Sequence, residues 1–289
     1  NEQAVSPLFR AHLEQVADLV LSTMGHKGIV EVGCGKGYFL ELLQARGAEI
    51  TGFDPAYEGT NPRVRREYFG PGLGIHGEGL ILRHVLEHIP DPVGFLQRLA
   101  AANGGRGLIY IELPCFDWIC RNKAWFDICY EHVNYFRLSD FYRIFGRVVH
   151  GGRGFGGQYL TVVADLATLR VPQIDETDRV AFPDDFTAQI GTQLASASGG
   201  TVVWGGASKG VLFALMRERA GKPVDRVIDI NPAKQNRFLP GTGLRVLSAQ
   251  DGLAGLPDKT TIYVMNPNYM QEIRQMSGNA FNYIGMSND

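Results

Sequence analysis

The sequence predicts an α/β protein with a doubly wound, mostly parallel sheet and a second, smaller α/β domain. Short β-branched strands alternate with amphipathic helices, a glycine-rich turn follows the first strand of each half, and the composition turns polar between residues 166 and 185. The chain of 289 residues also exceeds one ordinary compact domain. We therefore expect one domain over residues 1–170 and a second over residues 171–289.

The first domain begins with a predicted amphipathic helix over Leu8–Met24, in which apolar residues recur near the helical period. The strand Gly28–Val32 then runs into glycines. The further predicted elements are helices over 38–44 and 92–102 and strands over 49–54, 79–84 and 108–113. This alternation implies right-handed βαβ units and a parallel sheet. We expect the strand Tyr159–Ala164 to close that sheet at an antiparallel edge.

The pattern restarts after a predicted helix near Phe186–Ser196. Thr201–Gly206 repeats the plan of the first strand and its glycine turn, and a helix over 211–219 follows. Two more strands are predicted at Arg226–Asn231, whose end carries an acid, and at Thr260–Met265. The second domain is therefore expected to be a small three-layer α/β unit of its own.

The charge and hydropathy of the chain exclude several classes of partner. A formal net charge of −2 gives no positive field that would attract nucleic acid or an anionic membrane. No apolar run approaches the roughly 20 residues that span a bilayer, and Asn1–Phe9 lack the plan of a signal peptide. We expect a cytoplasmic protein with no nucleic-acid or membrane partner, and these features leave its oligomeric state open.

The four cysteines are Cys34, Cys115, Cys120 and Cys129, and no two of them form a C-x2-C pair. Scattered cysteines in a chain of this length indicate reduced thiols rather than a disulfide framework or a zinc site. We therefore predict no metal site in this chain.

The first glycine turn, Gly33-Cys34-Gly35-Lys36-Gly37, leaves a strand and enters a helix. Glycine is required where the backbone turns through positive φ or lies against a ligand. The G-x-G-x-G spacing differs from the G-x-G-x-x-G that seats a pyrophosphate on a helix N-terminus, which disfavours a nicotinamide-dependent reductase. The turn favours a bulky cofactor without phosphate, such as S-adenosylmethionine.

Asp54 lies 21 residues beyond Gly33, at the end of the next predicted strand. A carboxylate at that position accepts hydrogen bonds from both ribose hydroxyls of a nucleoside cofactor. The alternative is a glycine turn that only packs a helix on a strand, with Asp54 as a turn residue before Pro55. The flanking strand and helix together with the acid favour cofactor binding.

The segments EVGCGKGYF (31–39), GFDP (52–55) and RHVLEHIPDP (83–92) resemble the first motifs of class I methyltransferases. The resemblance implies that the glycine loop receives the methionine part of the cofactor, that Glu31 helps hold its amino group and that Asp54 holds its ribose. It also implies that Arg83 and His84 flank the adenosine and the sulfonium. The alternative for His84, Glu87 and His88 is a partly exposed helix face. The implied cofactor-binding residues are Glu31, Gly33, Gly35, Gly37, Asp54, Arg83 and His84.

A loop over Trp125–Phe136 follows the predicted strand 108–113, where acceptor substrates of such folds approach the methyl group. It places titratable groups among aromatic side chains, which is costly unless those groups have a use. The alternative is an ordinary packing loop.

Nearly the whole chain resembles the sugar C-methyltransferases, which act on nucleotide-linked 4-ketohexoses. The resemblance rests on Tyr130-Glu131-His132, WGGASKG (204–210), IDINPAKQNRFLPGTG (228–243) and VMNPNY (264–269). Members of that family usually carry an additional N-terminal zinc-binding module with four cysteines. We expect that removal of such a module would leave a chain that starts as this one does, at Asn1.

Carbon methylation beside a ketone needs a general base, because a C–H carbon is a poor nucleophile until its proton leaves. Histidine meets that need near neutral pH, and His132 is the candidate base. Glu131 would hold the imidazole or a sugar hydroxyl, and Tyr130 or Tyr135 would donate to the enolate oxygen. Methyl transfer itself needs no metal, since the sulfonium is already a good leaving group.

The second glycine turn is predicted to hold the nucleotide of the acceptor, because amides at the start of a helix cradle phosphate. Lys209 would add a charge suited to a diphosphate, and Asp229 or Asn231 would hold a ribose or sugar hydroxyl. The alternative is a structural brace that binds nothing. The candidate substrate-binding residues are Gly206, Ser208, Lys209, Asp229 and Asn231.

Two other functions compete with sugar C-methylation. In the first, the enzyme methylates oxygen or nitrogen on a sugar or another small molecule, and His132 deprotonates a hydroxyl. In the second, the chain is a non-catalytic nucleotide-binding module with a vestigial first turn. The intact glycines and Asp54 disfavour the second alternative.

Overall fold

The computed structural model describes residues 2–195 and 200–286. Contacts divide the chain into two compact units. The first contains Phe9–Asp117 and Tyr130–Val180, and the second contains Glu2–Leu8, Trp118–Cys129 and the chain from Ala181 onward. The boundary after Val180 falls within the polar stretch noted in the sequence. A single domain boundary along the sequence does not account for Trp118–Cys129, which belong to the second unit.

The first unit is built on a seven-stranded sheet in the order β3-β2-β1-β4-β5-β7-β6. Its strands are β1 (Ile29–Val32), β2 (Ile50–Phe53), β3 (Val64–Arg65), β4 (Gly79–Arg83), β5 (Leu108–Pro114), β6 (Val148–Gly154) and β7 (Tyr159–Asp165). The five strands from β3 to β5 are parallel, so their carboxyl ends meet at one edge. The predicted mostly parallel, doubly wound fold class is confirmed.

The central strands are covered on both faces, and their composition follows from that burial. Every residue of β1 and of β4 is buried, as expected for parallel strands. The strongly apolar strand predicted over 108–113 forms as β5. Three ionisable residues nevertheless lie in these strands, Glu31, Arg83 and Glu112, and each is at most 7% exposed. Their burial requires an explanation beyond packing.

The antiparallel edge of this sheet differs from the prediction. β7 is antiparallel to β5, as expected, but it is not the outermost strand, because β6 pairs with its other side. The sequence of β6, Val-Val-His-Gly-Gly-Arg-Gly, is rich in glycine and alternates between half-buried and exposed positions. Glycine lowers the strand signal, so this edge strand was missed.

The helices of the described residues are α1 (Pro7–Met24), α2 (Tyr38–Ala45), α3 (Pro92–Ala102), α4 (Phe116–Arg121), α5 (Leu138–Ile144), α6 (Ala188–Ala195), α7 (Ser208–Arg219), α8 (Ala249–Leu253) and α9 (Met270–Met276). Five of these helices, α1, α2, α3, α6 and α7, lie close to their predicted bounds, and the other four were not predicted. A short 3-10 helix, Leu86–His88, follows β4. The predicted end of the helix near Ser196 lies outside the described residues.

The second unit contains a five-stranded, wholly parallel sheet in the order β10-β9-β8-β11-β12. Its strands are β8 (Thr201–Trp204), β9 (Arg226–Ile228), β10 (Val246–Leu247), β11 (Thr261–Val264) and β12 (Asn282–Gly285). Apolar side chains of β8, β9 and β11 form a buried cluster with Ile273 of α9. The predicted second α/β sheet is therefore present.

Among the described residues, every helix is too short or too polar to cross a membrane. Cys34 and Cys115 are buried, whereas Cys120 and Cys129 are half-buried. Burial raises the pKa of Cys34 to about 12, so this thiol in the glycine turn stays neutral at physiological pH.

Gly33 is where β1 packs most tightly against the chain that leaves β4. Its φ is +73°, and a Cβ atom there would lie 2.5 Å from Val85 Cγ2. We expect Gly33→Ala to lower the free energy of unfolding by roughly 1–3 kcal/mol, because both the backbone and the Val85 side chain must shift. Chemical denaturation would measure the change.

Gly70→Ala is the matched control. No atom lies within 4 Å of its Cβ position, and its φ is not positive. This variant should stay within about 0.5 kcal/mol of wild type. Equal losses in the two variants would contradict the packing argument.

Candidate active site

The first glycine turn and Asp54 meet at the carboxyl edge of the first sheet. Gly35 N–H donates to Asp54 Oδ2 at 2.7 Å, and Ala56 N–H donates to Oδ1 at 2.8 Å. The predicted proximity of turn and acid is therefore present. Gly35 has a φ of +54°, with no atom within 4 Å of its Cβ position. The turn is open at this point, and each Asp54 oxygen keeps a lone pair for a further donor.

Glu31 lies inside β1 with 2% of its surface exposed. Desolvation raises the pKa of this carboxyl to about 7, although the nearby Arg83 charge lowers it. Its Oε2 atom is buried and accepts no hydrogen bond from any described residue. A carboxylate in this state is suited to a cationic donor supplied by a ligand.

These residues fit S-adenosylmethionine on three counts. Glu31 offers a buried acceptor for the ammonium of the methionine part. Asp54 offers free lone pairs for the ribose hydroxyls, and the open face at Gly35 leaves room beside the backbone. Gly37 directly precedes α2, and Gly33 is closed off by Val85. Gly33 is thus the glycine of the turn that packs against the protein, whereas Gly35 is the open one.

A fully buried carboxylate, Glu112 of β5, organises the charges behind this edge. Arg83 is its in-register neighbour on β4 and donates to Oε1 at 2.8 Å. Tyr110 O–H donates to Oε2 at 2.7 Å, and His12 Nε2 lies 3.3 Å from the same oxygen. Burial opposes the charge of Glu112, but Arg83, His12 and His84 more than offset it and hold its pKa well below the usual range.

Arg83 was predicted to flank the cofactor, and the structure places its guanidinium in the interior. Its side chain is 5% exposed, pairs with Glu112 and lies 4.5 Å from the centre of the Phe39 ring. A guanidinium held there compensates the carboxylates of Glu31 and Glu112. A direct contact of Arg83 with the cofactor stays a prediction.

His84 adopts a left-handed backbone conformation, with a φ of +51°. Its Nε2 lies 3.1 Å from Glu112 Oε1 and its Nδ1 lies 3.4 Å from Glu87 Oε1. Burial lowers the pKa of His84, but the bonds to Glu112 and Glu87 outweigh it and raise the pKa to about 9. Both ring nitrogens thus face carboxylates of the protein, and contact with the cofactor through them stays a prediction.

The predicted acceptor loop is fastened to the turn that follows β4. Val133 and Asn134 donate their backbone N–H groups to the carbonyl of Glu87, at 2.9 and 3.1 Å. Asn134 Nδ2 also donates to the carbonyl of Ile89 at 2.6 Å. These bonds set where the side chain of His132 lies relative to the carboxyl ends of the strands.

His132 lies beside His88, with ring centroids 5.1 Å apart, and Tyr135 is its next aromatic neighbour at 6.2 Å. Ligand atoms of Glu87, His88 and His132 all lie within 4.8 Å of one another. The structure therefore brings the candidate base together with Tyr135, as the loop pattern suggested, and with two residues from the β4 end.

Tyr130 and Glu131 face solvent. Tyr130 is 91% exposed, and its hydroxyl lies 3.4 Å from Glu131 Oε1. The backbone carbonyl of Glu131 contacts His88 Nδ1 at 2.7 Å. Direct catalytic roles for Tyr130 and Glu131 stay predictions.

Glu87 and His88 are functional candidates that were not among the predicted site residues, and a partly exposed helix face was the alternative considered for them. Glu87 is only 2% exposed. A usable signal existed, because the residues after β4 and after β5 must meet where neighbouring parallel strands end. The sequence did not reveal which side chains meet, since that depends on the path of the loop after β5.

In the second unit the second glycine turn repeats the geometry of the first. Gly206 N–H donates to Asp229 Oδ2 at 2.9 Å, and Asn231 N–H donates to Asp229 Oδ1 at 2.8 Å. Asp229 and Asn231 are 8% and 6% exposed, and Lys234 Nζ lies 3.6 Å from Asp229. Ser208 begins α7 directly after this turn. The five predicted substrate-binding residues thus gather at the carboxyl ends of β8 and β9.

The charge of Lys209 is already balanced within the second unit. Its Nζ lies 2.7 Å from Asp127 Oδ1 and 4.9 Å from the centre of the Phe126 ring. A lysine held by a carboxylate offers less attraction to a diphosphate than a free one. The role of Lys209 in phosphate binding stays a prediction.

Each of the two parts of the chain matches a known family. Residues 9–148 match a family described as a methyltransferase domain, and residues 184–285 match one described as a C-methyltransferase C-terminal domain. The first match contains the glycine turn, Asp54 and His132, and the second contains Asp229.

Individual relatives agree with these matches. The C-methyltransferase NovU of Streptomyces niveus is 25% identical over 305 residues, which cover 91% of this chain and 72% of the relative. A ubiquinone biosynthesis O-methyltransferase of Yersinia pestis is 28% identical over 115 residues, which cover 34% of this chain and 46% of the relative.

Among solved structures, the 1,6-didemethyltoxoflavin-N1-methyltransferase of Burkholderia thailandensis with bound S-adenosylhomocysteine matches at a TM-score of 0.42 and 15% identity. That match covers 54% of this chain and 78% of the other. The magnesium protoporphyrin IX methyltransferase of Synechocystis with bound cofactor matches at a TM-score of 0.40 and 16% identity, over 55% and 78% of the two chains.

The state of Glu31 predicts a pH dependence of cofactor binding. A carboxyl with a pKa of about 7 in the free protein must lose its proton to hold an ammonium, so binding releases a proton and strengthens as pH rises through 7. Between pH 5.5 and 6.5 we expect the Kd for S-adenosylmethionine to fall about tenfold. Isothermal titration calorimetry in buffers of different ionisation enthalpy would measure both effects. The Glu31→Gln variant should bind with a Kd that is flat over this range, and a wild-type slope in that variant would contradict the assignment.

His84 predicts a pH dependence of stability with the opposite sign. Its folded pKa of about 9 exceeds the ordinary value of 6.5, so its contribution is fully present below pH 6.5 and is lost as pH rises through 9. The unfolding free energy of wild type should therefore fall more steeply over this window than that of His84→Asn, since asparagine tolerates the left-handed backbone. Urea denaturation at several pH values would measure the slopes. The exposed His26 supplies the control, because His26→Asn should keep the wild-type slope. Parallel slopes for wild type and His84→Asn would refute this role.

Proposed function

The chain is an S-adenosylmethionine-dependent methyltransferase, and we propose that it methylates a carbon next to the ketone of a nucleotide-linked 4-keto-deoxysugar. The observation that carries the proposal is the position of His132, which joins Glu87 and His88 at the carboxyl edge of the first sheet. The chain that leads to this cluster also packs on the glycine turn, because Val85 covers Gly33. His132, the proposed base, thus lies at the same edge of the sheet as the glycine turn. The C-methyltransferase match of the second unit supports carbon as the acceptor atom.

The reaction needs one proton removed and one methyl group received by the same carbon. His132 takes the proton from the carbon beside the ketone, and the C–H electrons become the enolate. S-adenosylmethionine, when bound, would supply the electrophilic methyl group that this carbon receives, and the electrons of the broken C–S bond would stay on sulfur as a neutral thioether. His132 then returns its proton to solvent. A positioned base contributes about 10²–10⁴-fold to such a rate.

Hydrogen-bond donors lower the cost of the enolate charge. Tyr135, next to His132, is the better placed of the two candidate tyrosines, since Tyr130 is almost fully exposed. The side chain of Glu131 is exposed and would face a sugar hydroxyl. Glu31 would hold the cofactor by its ammonium group, and Asp54 would hold it by its ribose.

The second unit would take the nucleotide of the acceptor. Its turn and Asp229 repeat the hydrogen bond that joins Gly35 to Asp54. Because Asp127 balances Lys209, the backbone N–H groups at the start of α7 are the better phosphate donors. Asp229 and Asn231 would then hold a ribose or sugar hydroxyl.

Oxygen methylation is the second candidate function. It is favoured by the similarity of 34% of the chain to a ubiquinone biosynthesis O-methyltransferase. In that case His132 would deprotonate a hydroxyl. The matches of both parts of the chain to methyltransferase families disfavour the non-catalytic nucleotide-binding module considered from the sequence.

Deuterium exchange tests the proposal directly. The wild type should exchange the α-proton of a nucleotide-linked 4-ketohexose in D2O and, with S-adenosylmethionine, yield a carbon-bound methyl group by NMR. His132→Ala should lower exchange and turnover at least ~10²-fold, because the base is gone, while the Kd of the cofactor stays unchanged. An oxygen-bound methyl group in the product, or undiminished exchange in His132→Ala, would count against carbon methylation by this base.

A further inference from the structure

Glu87 connects the two halves of the candidate catalytic cluster. Its backbone carbonyl accepts hydrogen bonds from the N–H groups of Val133 and Asn134, the two residues that follow His132 on the chain. Its carboxylate is 3% exposed and follows β4 by four residues. The same residue therefore holds the loop through its backbone and reaches the cluster through its side chain.

The two oxygens of this carboxylate are used unequally. Oε1 lies 3.4 Å from His84 Nδ1. Oε2 is buried and, among the residues described, accepts no hydrogen bond. A buried carboxylate oxygen without a donor costs free energy, so a donor that reaches it during the reaction gains stability. A ligand atom of Glu87 lies within 4.8 Å of ring nitrogens of both His88 and His132.

His84 fixes the carboxylate of Glu87 from the other side. Its ring lies between Glu87 and Glu112, and Glu112 is in turn held by Arg83 and Tyr110. The ring reaches this position from a left-handed backbone, which is strained in a residue other than glycine. A series of buried groups from Glu112 through His84 thus orients Glu87.

We infer that Glu87, rather than Glu131, is the carboxylate that positions His132 and makes it a stronger base. The inference rests on the proposed function, since it assigns a partner to the proposed base. When His132 takes the substrate proton, it becomes an imidazolium. The buried carboxylate of Glu87, which has a ligand atom within 4.8 Å, stabilises that positive charge. Glu131, by contrast, is exposed to water, which screens its charge.

The groups that face Glu87 favour a proton over a metal ion in this cluster. Two imidazoles and a carboxylate are also zinc ligands, and their atoms lie within 4.8 Å of one another. However, His84 carries a positive charge 3.4 Å from Glu87 Oε1. The pKa of His84, raised to about 9 by its two carboxylate partners, keeps that charge at neutral pH, and it opposes a divalent ion more strongly than the single charge of an imidazolium.

The test is Glu87→Gln, which keeps the shape and removes the charge. Without the nearby negative charge the pKa of His132 falls, so the acid limb of the kcat profile should move to lower pH, by about one unit. The plateau of kcat should fall at least about tenfold, because the base is weaker and less well oriented. The Kd of S-adenosylmethionine should stay at its wild-type value.

Two controls separate positioning from a structural role. Glu131→Gln should leave the acid limb at its wild-type pH, whereas a shift there and none in Glu87→Gln would overturn the inference. In a His132→Ala background, Glu87→Gln should cause no further loss of α-proton exchange, because it acts through the absent imidazole. A full additional loss in that background would also overturn it.

The remaining outcomes distinguish this inference from the proposed function. If His132→Ala abolishes exchange but Glu87→Gln keeps the wild-type kcat profile, the base stands and the role of Glu87 fails. If His132→Ala exchanges normally, the proposed function itself fails. Loss of activity with EDTA and its recovery with added Zn2+ would replace the proton-based role of Glu87 with a metal site.

Discussion

The buried carboxylate of Glu112 is the interaction on which the candidate site depends. A charge with no exposure is tolerable only if paired, and removing one partner of such a pair typically costs about 3–5 kcal/mol. Here the partners come from α1, β4 and β5, through His12, Arg83, His84 and Tyr110. The requirement to neutralise one carboxylate therefore determines where Arg83 and His84 lie at the end of β4, next to the loop that carries His132.

The two units place a glycine turn and an acid in the same relation. In each, the first strand in the middle of a parallel sheet ends in a glycine turn, and an N–H of that turn donates to an aspartate after the neighbouring strand. The distances differ by only 0.2 Å, from 2.7 Å at Gly35 to 2.9 Å at Gly206. The surroundings differ more, because Lys234 lies close to Asp229 while Asp54 receives only backbone donors among the described residues. Similar backbone geometry is thus combined with different charges in the two units.

Sequence patterns predicted the regular elements well where the pattern has one physical cause. The helix over Pro92–Ala102 was predicted to the residue, because its first residue is a proline preceded by an aspartate that caps the helix at Gly94. The edge strand β6 was missed, since its three glycines carry little strand preference. The grouping of Trp118–Cys129 with the second unit was also missed, because it depends on contacts far apart in the chain.

By itself the sequence determined the order of strands and helices, the glycine turns and the acids that follow the neighbouring strands. These features are local, since periodicity, β-branching and glycine conformation act within a few residues. Only the tertiary structure decided that Arg83 and His84 turn toward Glu112, and that Glu87 and His88 lie beside His132. Those contacts join residues more than 25 positions apart. They depend on strand register and on the electrostatic cost of burying charge, and neither can be read from a single segment of the sequence.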